Sequence, residues 1–148
     1  LTLSAPLNHG DWVWRPEAGP ATGPILITAD LAAETLSVFR DGHEIGVAVI
    51  HYGADSKPTP LGRFPILQKD ADHKSSLYAS APMPYMLRLT ADGVTIHGAQ
   101  IDGRFGTHGC IGVPTPFARL LFGQVKVGDP VIVTRGRVLK VGEGVPVA

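Results

Sequence analysis

The chain has one cysteine, Cys110, in the segment Thr107-His108-Gly109-Cys110, with a second histidine upstream at His97. A free thiol has a pKa of about 8.5 and is only a few per cent thiolate at neutral pH. An imidazole that takes its proton yields a thiolate–imidazolium pair in which each charge stabilises the other. Gly109 allows a sharp turn just before the sulfur. Such a turn aims successive backbone N–H groups at one point, as an oxyanion hole requires, and the N–H groups of Gly109 and Cys110 are expected to form it. Other readings stand beside this one. A lone cysteine is often a small buried hydrophobe, and a Cys–His pair beside a glycine also arises by chance. His108 can simply pack and hydrogen-bond the turn. His97, His108 and Cys110 as zinc ligands lack a fourth ligand and the CxxC or HxxxH spacing of firm metal sites.

The elements that must position these residues read as short alternating strands. Glycine (18) and proline (13) punctuate them, the pattern of a mostly antiparallel β domain. Ile25–Thr28 predicts a first strand and Thr35–Arg40 a second, with Leu36 and Val38 on one face. Asp41-Gly42 is a two-residue hairpin signal, and Ile45, Val47 and Val49 continue the alternation on the return. After Pro58-Thr59-Pro60 a strand is expected at Arg63–Leu67. Residues 68–86 are polar and carry Pro82-Met83-Pro84, so they read as a long connection with a functional role or a short helix. Met86–Leu89, the turn Asp92-Gly93 and Val94–His97 predict another hairpin. Thr115 is the expected N-cap, with Pro116 at the first position of a helix over Phe117–Phe122 that ends at Gly123. A last strand, Val131–Val133, follows the turn Gly128-Asp129-Pro130.

Composition narrows the class. At 148 residues the chain suits one domain. Its 44% apolar and 18% charged residues give a globular rather than a disordered balance. Lysine plus arginine and aspartate plus glutamate number 13 each, so the electrostatic footprint of a nucleic-acid binder is missing. No apolar run reaches the roughly 18–20 residues that span a bilayer. The start shows no basic region followed by an apolar one, so an exported protein is expected here in its mature form. Residues 1–24, with Pro6, Pro16, Pro20 and Pro24, read as an arm that packs loosely or wraps the domain edge. Trp12 and Trp14 in it alternate as strand residues do and are expected to cap exposed core rather than stack on glycan. Residues 25–135 form the expected catalytic domain and 136–148 an extension packed on it.

Ile96-His97-Gly98 followed by Thr107-His108-Gly109-Cys110-Ile111 resembles the signature of the L,D-transpeptidase (YkuD-type) catalytic domain. That signature is a His-Gly pair, a loop, then Ser/Thr-His-Gly-Cys and an aliphatic residue. Thr59-Pro60-Leu61-Gly62-Arg63-Phe64, Met83-Pro84-Tyr85 and Val127-Gly128-Asp129-Pro130-Val131 resemble further segments of the family, so the likeness runs from about Pro24 to Thr134. The resemblance implies a single β-sandwich or barrel-like domain with one or two short helices. It makes Cys110 the nucleophile and His97 the general base, with the Gly98 carbonyl orienting the imidazole and Thr107, His108 and Gly109 shaping the nucleophile turn. The implied reaction attacks the carbonyl after an L-centre in a peptidoglycan stem peptide, expels the D-residue, and passes the thioester to an amine of a second stem. Donor and acceptor stems are thus the expected partners, with no cofactor and no metal. An extracytoplasmic or periplasmic monomer that carbapenems acylate is expected.

Two positions depart from the family. Gly112 stands where an arginine is usual, removing a bidentate positive fork. Nine residues separate His97 from Thr107, a shorter loop than usual, and Arg104 inside it is a candidate to restore the charge. Together with Tyr78, Met83 and Tyr85, these residues are the expected lining of the substrate groove, although the aromatic pair and Met83 equally suit ordinary packing. Both changes leave the choice between a 3,3 diaminopimelate cross-link and a 1,3 L-alanine–diaminopimelate cross-link open. Hydrolysis by an L,D-carboxypeptidase or endopeptidase and a non-catalytic wall-binding module are the alternatives. His51, at the end of a strand, is a further histidine that is placed to face the groove.

Overall fold

Alternation builds the first sheet. In the computed structural model, which describes residues 7–52, 59–74, 82–99 and 110–136, β2 (Ile25–Asp30) buries Ile25, Ile27 and Ala29. Strand β3 (Thr35–Arg40) buries Leu36 and Val38 opposite them, with Ile27 paired to Val38 and Ala29 to Leu36. The period of two places every second residue on one face, and one face goes to the core. Asp41 and Gly42 both take positive φ, 51° and 80°, in the two-residue turn to β4 (His43–Val49). One extra residue in β4 shifts the β3–β4 register between Val38 and Phe39.

Strand β1 (Trp12–Trp14) pairs antiparallel with β4, so this part of the N-terminal arm is an edge strand. Trp14 lies opposite Gly46, which leaves the space that the indole fills, and its ring meets Phe117 edge-on at 5.6 Å. Residues 15–20 are held by Arg40, which is buried. Its Nε donates to the Pro20 carbonyl, Nη2 to that of Pro16 at 2.7 Å and Nη1 to Gln124 Oε1 at 3.1 Å. Strand β5 (Gly62–Pro65) and the last strand, β10 (Pro130–Thr134), complete a sheet ordered β1-β4-β3-β2-β10-β5.

The second sheet is ordered β6-β7-β8-β9, with β6 Gln68–Lys74, β7 Pro82–Arg88, β8 Thr95–Ala99 and β9 Ile111–Pro114. The expectation of an irregular connection over residues 68–86 is corrected by its first two strands. Gln68 pairs with Arg88 and Asp72 with Pro84 in one antiparallel ladder. As an edge strand β6 lacks the apolar alternation that announces a strand. The prolines of β7 are tolerated because its ladder to β8 starts only at Leu87, so they remove no bond on that side. Two of the strand pairs, β10–β2 and β8–β9, are parallel; the remaining ladders are antiparallel.

One apolar cluster lies between the sheets, joining Ile27, Leu36, Val38 and Val131 of the first to Leu87, Ile96, Ile111 and Val113 of the second. Helix α1 (Thr115–Gln124) closes it with Phe117, Ala118 and Leu121. Its ends differ from the expected ones. Pro114 rather than Thr115 takes the cap position, because β9 runs straight into the helix. The helix also runs past Gly123 to Gln124. Lys69 Nζ of β6 donates to the Phe122 and Val125 carbonyls at 2.7 Å each, satisfying groups that a helix terminus otherwise leaves to solvent. Among the described residues no helix is long and apolar enough to cross a membrane.

Candidate active site

The parallel pair β8–β9 assembles the chemistry. Ile96 pairs with Ile111, and both are buried in the core. Their neighbours Thr95, His97, Cys110 and Gly112 therefore share the opposite face of the sheet. His97 lies directly beside Gly112 in the ladder, and Cys110 is one step before the start of β9. Both His97 and Cys110 are half-buried, sheltered but reachable.

The imidazole of His97 is oriented by its own strand. Nδ1 lies 2.9 Å from the Gly98 carbonyl oxygen. A carbonyl can only accept, so Nδ1 carries the proton and Nε2 is the basic nitrogen of the neutral ring. Gly98 itself is tightly enclosed. A Cβ built there would come within 3.0 Å of Thr115 Oγ1 and 3.2 Å of both Thr115 Cα and Pro84. Any larger residue would push β8 away from the start of α1 and carry the orienting carbonyl with it.

The sulfur of Cys110 has two contacts from the β7–β8 hairpin. The Thr95 hydroxyl donates to Sγ at 3.3 Å, and the thiol donates to the Gly93 carbonyl at 3.7 Å. Gly93 takes φ +101°, a region that excludes ordinary side chains, and this turns its carbonyl toward the sulfur. The turn is braced by Thr90, whose hydroxyl bonds Asp92 and accepts from the Val94 N–H at 3.0 Å. Thr95 did not emerge from the sequence. Its only signal there was position, two residues before His97 and so on the same face of a strand.

His51 joins the site through its backbone. Its N–H donates to the Gly112 carbonyl and its carbonyl accepts from the Gly112 N–H, both at 2.9 Å. This isolated antiparallel bridge continues the second sheet beyond β9 by one residue. Residues opposed in such a bridge share a face, so His97, Gly112 and His51 form a row. Gly112 thus has no side chain between two histidines, and it is buried.

Of the other expected groove residues, Met83 is buried and Tyr85 half-buried. The Tyr85 ring packs edge-on against Phe122 of α1 at 5.7 Å. Tyr85 also holds φ +56°, unusual for a bulky residue, at the one position of β7 that has no partner in the β6 ladder. Thr107, His108, Gly109, Arg104 and Tyr78 lie outside the described residues, as does the C-terminal stretch 137–148.

A thiol and an oriented imidazole on one side of a two-sheet β domain have the arrangement that nucleophilic catalysis by a cysteine–histidine pair requires. Residues 24–133 match the YkuD family, the L,D-transpeptidase catalytic domain, and the chain belongs to that family. L,D-transpeptidase 1 of Mycobacterium tuberculosis is 31% identical over 130 residues, which cover 76% of this chain and 52% of that protein. A solved L,D-transpeptidase of Stackebrandtia nassauensis superposes with a TM-score of 0.70 at 25% identity, covering 81% of this chain and 60% of that one. An L,D-transpeptidase solved in complex with imipenem gives a TM-score of 0.68 at 28% identity, covering 74% and 58%. The chain spans about half the length of the curated relatives it matches.

Proposed function

We propose that this chain is the catalytic domain of a peptidoglycan L,D-transpeptidase that works through a Cys110 thioester. The observation that carries the reading is the placement of Cys110, one step before β9, beside the parallel neighbour β8 that carries His97, with His97 Nδ1 held by the Gly98 carbonyl. Family membership supplies the substrate class, a stem peptide with an L-to-D junction.

In this reading His97 Nε2 takes the thiol proton and leaves a thiolate–imidazolium pair. The thiolate attacks the carbonyl carbon after the L-centre, and the electron pair moves onto oxygen. N–H groups of the nucleophile turn, those of Gly109 and Cys110, stabilise that oxyanion. Its collapse breaks the C–N bond, and the imidazolium proton goes to the departing amine of the D-residue. An amine of a second stem then attacks the thioester, His97 accepts its proton, and the free thiol is restored. The energy of the donor amide is kept in the thioester, so neither nucleotide nor metal is required. In this reading the enzyme acts outside the cytoplasm, on stem peptides of the wall. Gly112, with no side chain between His97 and His51, is the position we assign to substrate contact.

The test is incubation of the purified chain with defined tetrapeptide muropeptides, followed by mass spectrometry. Dimers joined through diaminopimelate report 3,3 transfer, and dimers through L-alanine report 1,3 transfer. Shortened monomers alone would replace transfer by hydrolysis. Unchanged substrate under conditions where the protein is folded would sink the enzymatic reading.

A further inference from the structure

We propose that Thr95 is a positioning residue for the nucleophile: its hydroxyl holds the thiolate of Cys110, while the Gly93 carbonyl holds the neutral thiol. This rests on Cys110 being the reactive sulfur. Thr95 is 3% exposed, and its hydroxyl proton is directed at Sγ. A buried hydroxyl needs a partner, yet a neutral thiol is a poor acceptor. The same bond becomes about twice as strong once sulfur carries charge. The Gly93 carbonyl has the opposite preference. It accepts from S–H at 3.7 Å, and its lone pairs would repel a thiolate.

The two protonation states of the sulfur are thus read by different groups from one hairpin. The neutral thiol has bonds to both groups, Thr95 as donor and Gly93 as acceptor. When the proton leaves Sγ for His97 Nε2, the contact to Gly93 is lost and the contact to Thr95 strengthens. No oxidant or co-reactant is involved, only transfer of one proton from sulfur to nitrogen. Thr95 is β-branched and sits within β8, so its hydroxyl is held in few rotamers and needs little reordering as charge appears.

Among the described residues, the charged or titratable groups on the elements around this sulfur are His97 on β8, His51 beside Gly112, Asp92 in the turn and Arg88 opposite Thr95 on β7. Arg88 is engaged with the Thr90 and Ala91 carbonyls. Variants at Thr95 leave all four in place, so a change in the sulfur's titration isolates the hydroxyl.

The experiment is the pH dependence of Cys110 alkylation by iodoacetamide on the full chain, followed by intact mass, alongside tetrapeptide turnover. Thr95→Val keeps the shape and removes the hydroxyl. It should move the alkylation profile to higher pH, slow alkylation at pH 7 about tenfold, and lower kcat more than it changes KM. Thr95→Ser should restore a near wild-type profile. Thr95→Ala removes the hydroxyl without adding bulk and carries the same test if the valine variant does not fold. A wild-type profile in folded Thr95→Val or Thr95→Ala overturns the inference. A wild-type protein whose Cys110 resists alkylation at every pH would instead overturn the nucleophile assignment, and this inference with it.

Discussion

In the proposed mechanism the chemistry of Cys110 depends on three residues of β8: His97 is the proposed base, the Gly98 carbonyl fixes which ring nitrogen is basic, and Thr95 meets the sulfur. General base catalysis by a positioned histidine contributes roughly 10²–10⁴-fold. His97→Ala should therefore slow formation of the covalent imipenem adduct by about 10³-fold, read by intact mass over time, while Cys110→Ala forms no adduct at all. Adduct formation in His97→Ala within a few fold of wild type would place the base elsewhere. Gly98→Val offers a geometric counterpart. The valine side chain would meet Thr115 and Pro84, so the orienting carbonyl should move and activity should fall by about tenfold or more, although His97 and Cys110 are both present.

The elements are tied together through the ends of α1. Lys69 reaches from β6 to the Phe122 and Val125 carbonyls, and its ammonium lies 4.3 Å from the centre of the Phe122 ring. A cation at a helix C-terminus is worth about 0.3–1 kcal/mol at the surface and up to about 2 kcal/mol when partly buried. Lys69→Met keeps the stem and removes the charge and both donors. It should cost about 1–2 kcal/mol, a fall in melting temperature of several degrees, measured by calorimetry. No loss of stability would mean that water serves those carbonyls equally well. The same contact explains why β6 was hard to read from sequence. Gln68, Lys69, Asp70 and Asp72 are strand residues for what they pair with, not for an apolar face of their own. By contrast, β3, the Asp41-Gly42 turn and β4 were legible, because alternation and turn chemistry there are local properties.

At the level of the whole molecule, the N-terminal arm is joined to the core by two different forces. Trp14 packs on Phe117, and Arg40 gathers the Pro16 and Pro20 carbonyls and Gln124 around one guanidinium. Trp14→Ala would leave a partly collapsed cavity and is expected to cost about 2–4 kcal/mol. Arg40→Met keeps apolar bulk but removes the donor to the Pro20 carbonyl and one of the two donors to the Pro16 carbonyl, at about 1–3 kcal/mol. Urea unfolding of each variant, and of the chain lacking residues 1–24, checks this. Full stability in the shortened chain would show that the arm is dispensable to the fold. The sequence reads residues 1–24 as an arm that packs loosely or wraps the domain edge, with Trp12 and Trp14 alternating as in a strand; pairing with β4 makes that stretch an edge strand.

What the sequence determined by itself was chemical identity and local pattern: a thiol, a histidine followed by glycine, a glycine where a cation is usual, and strands marked by a period of two. Those follow from side-chain type and from the pleat, which are properties of neighbouring residues. The tertiary structure decided adjacency. That β8 and β9 are parallel neighbours, that Thr95 lies against Cys110, and that His51 bridges to Gly112 are contacts between residues far apart in the chain. They are set when two sheets and a helix bury one common core, and no local signal in the chain encodes which strand will lie beside which. The cysteine and the Asp92-Gly93 hairpin were both visible in the sequence; that the hairpin holds the sulfur of the cysteine was visible only in the fold.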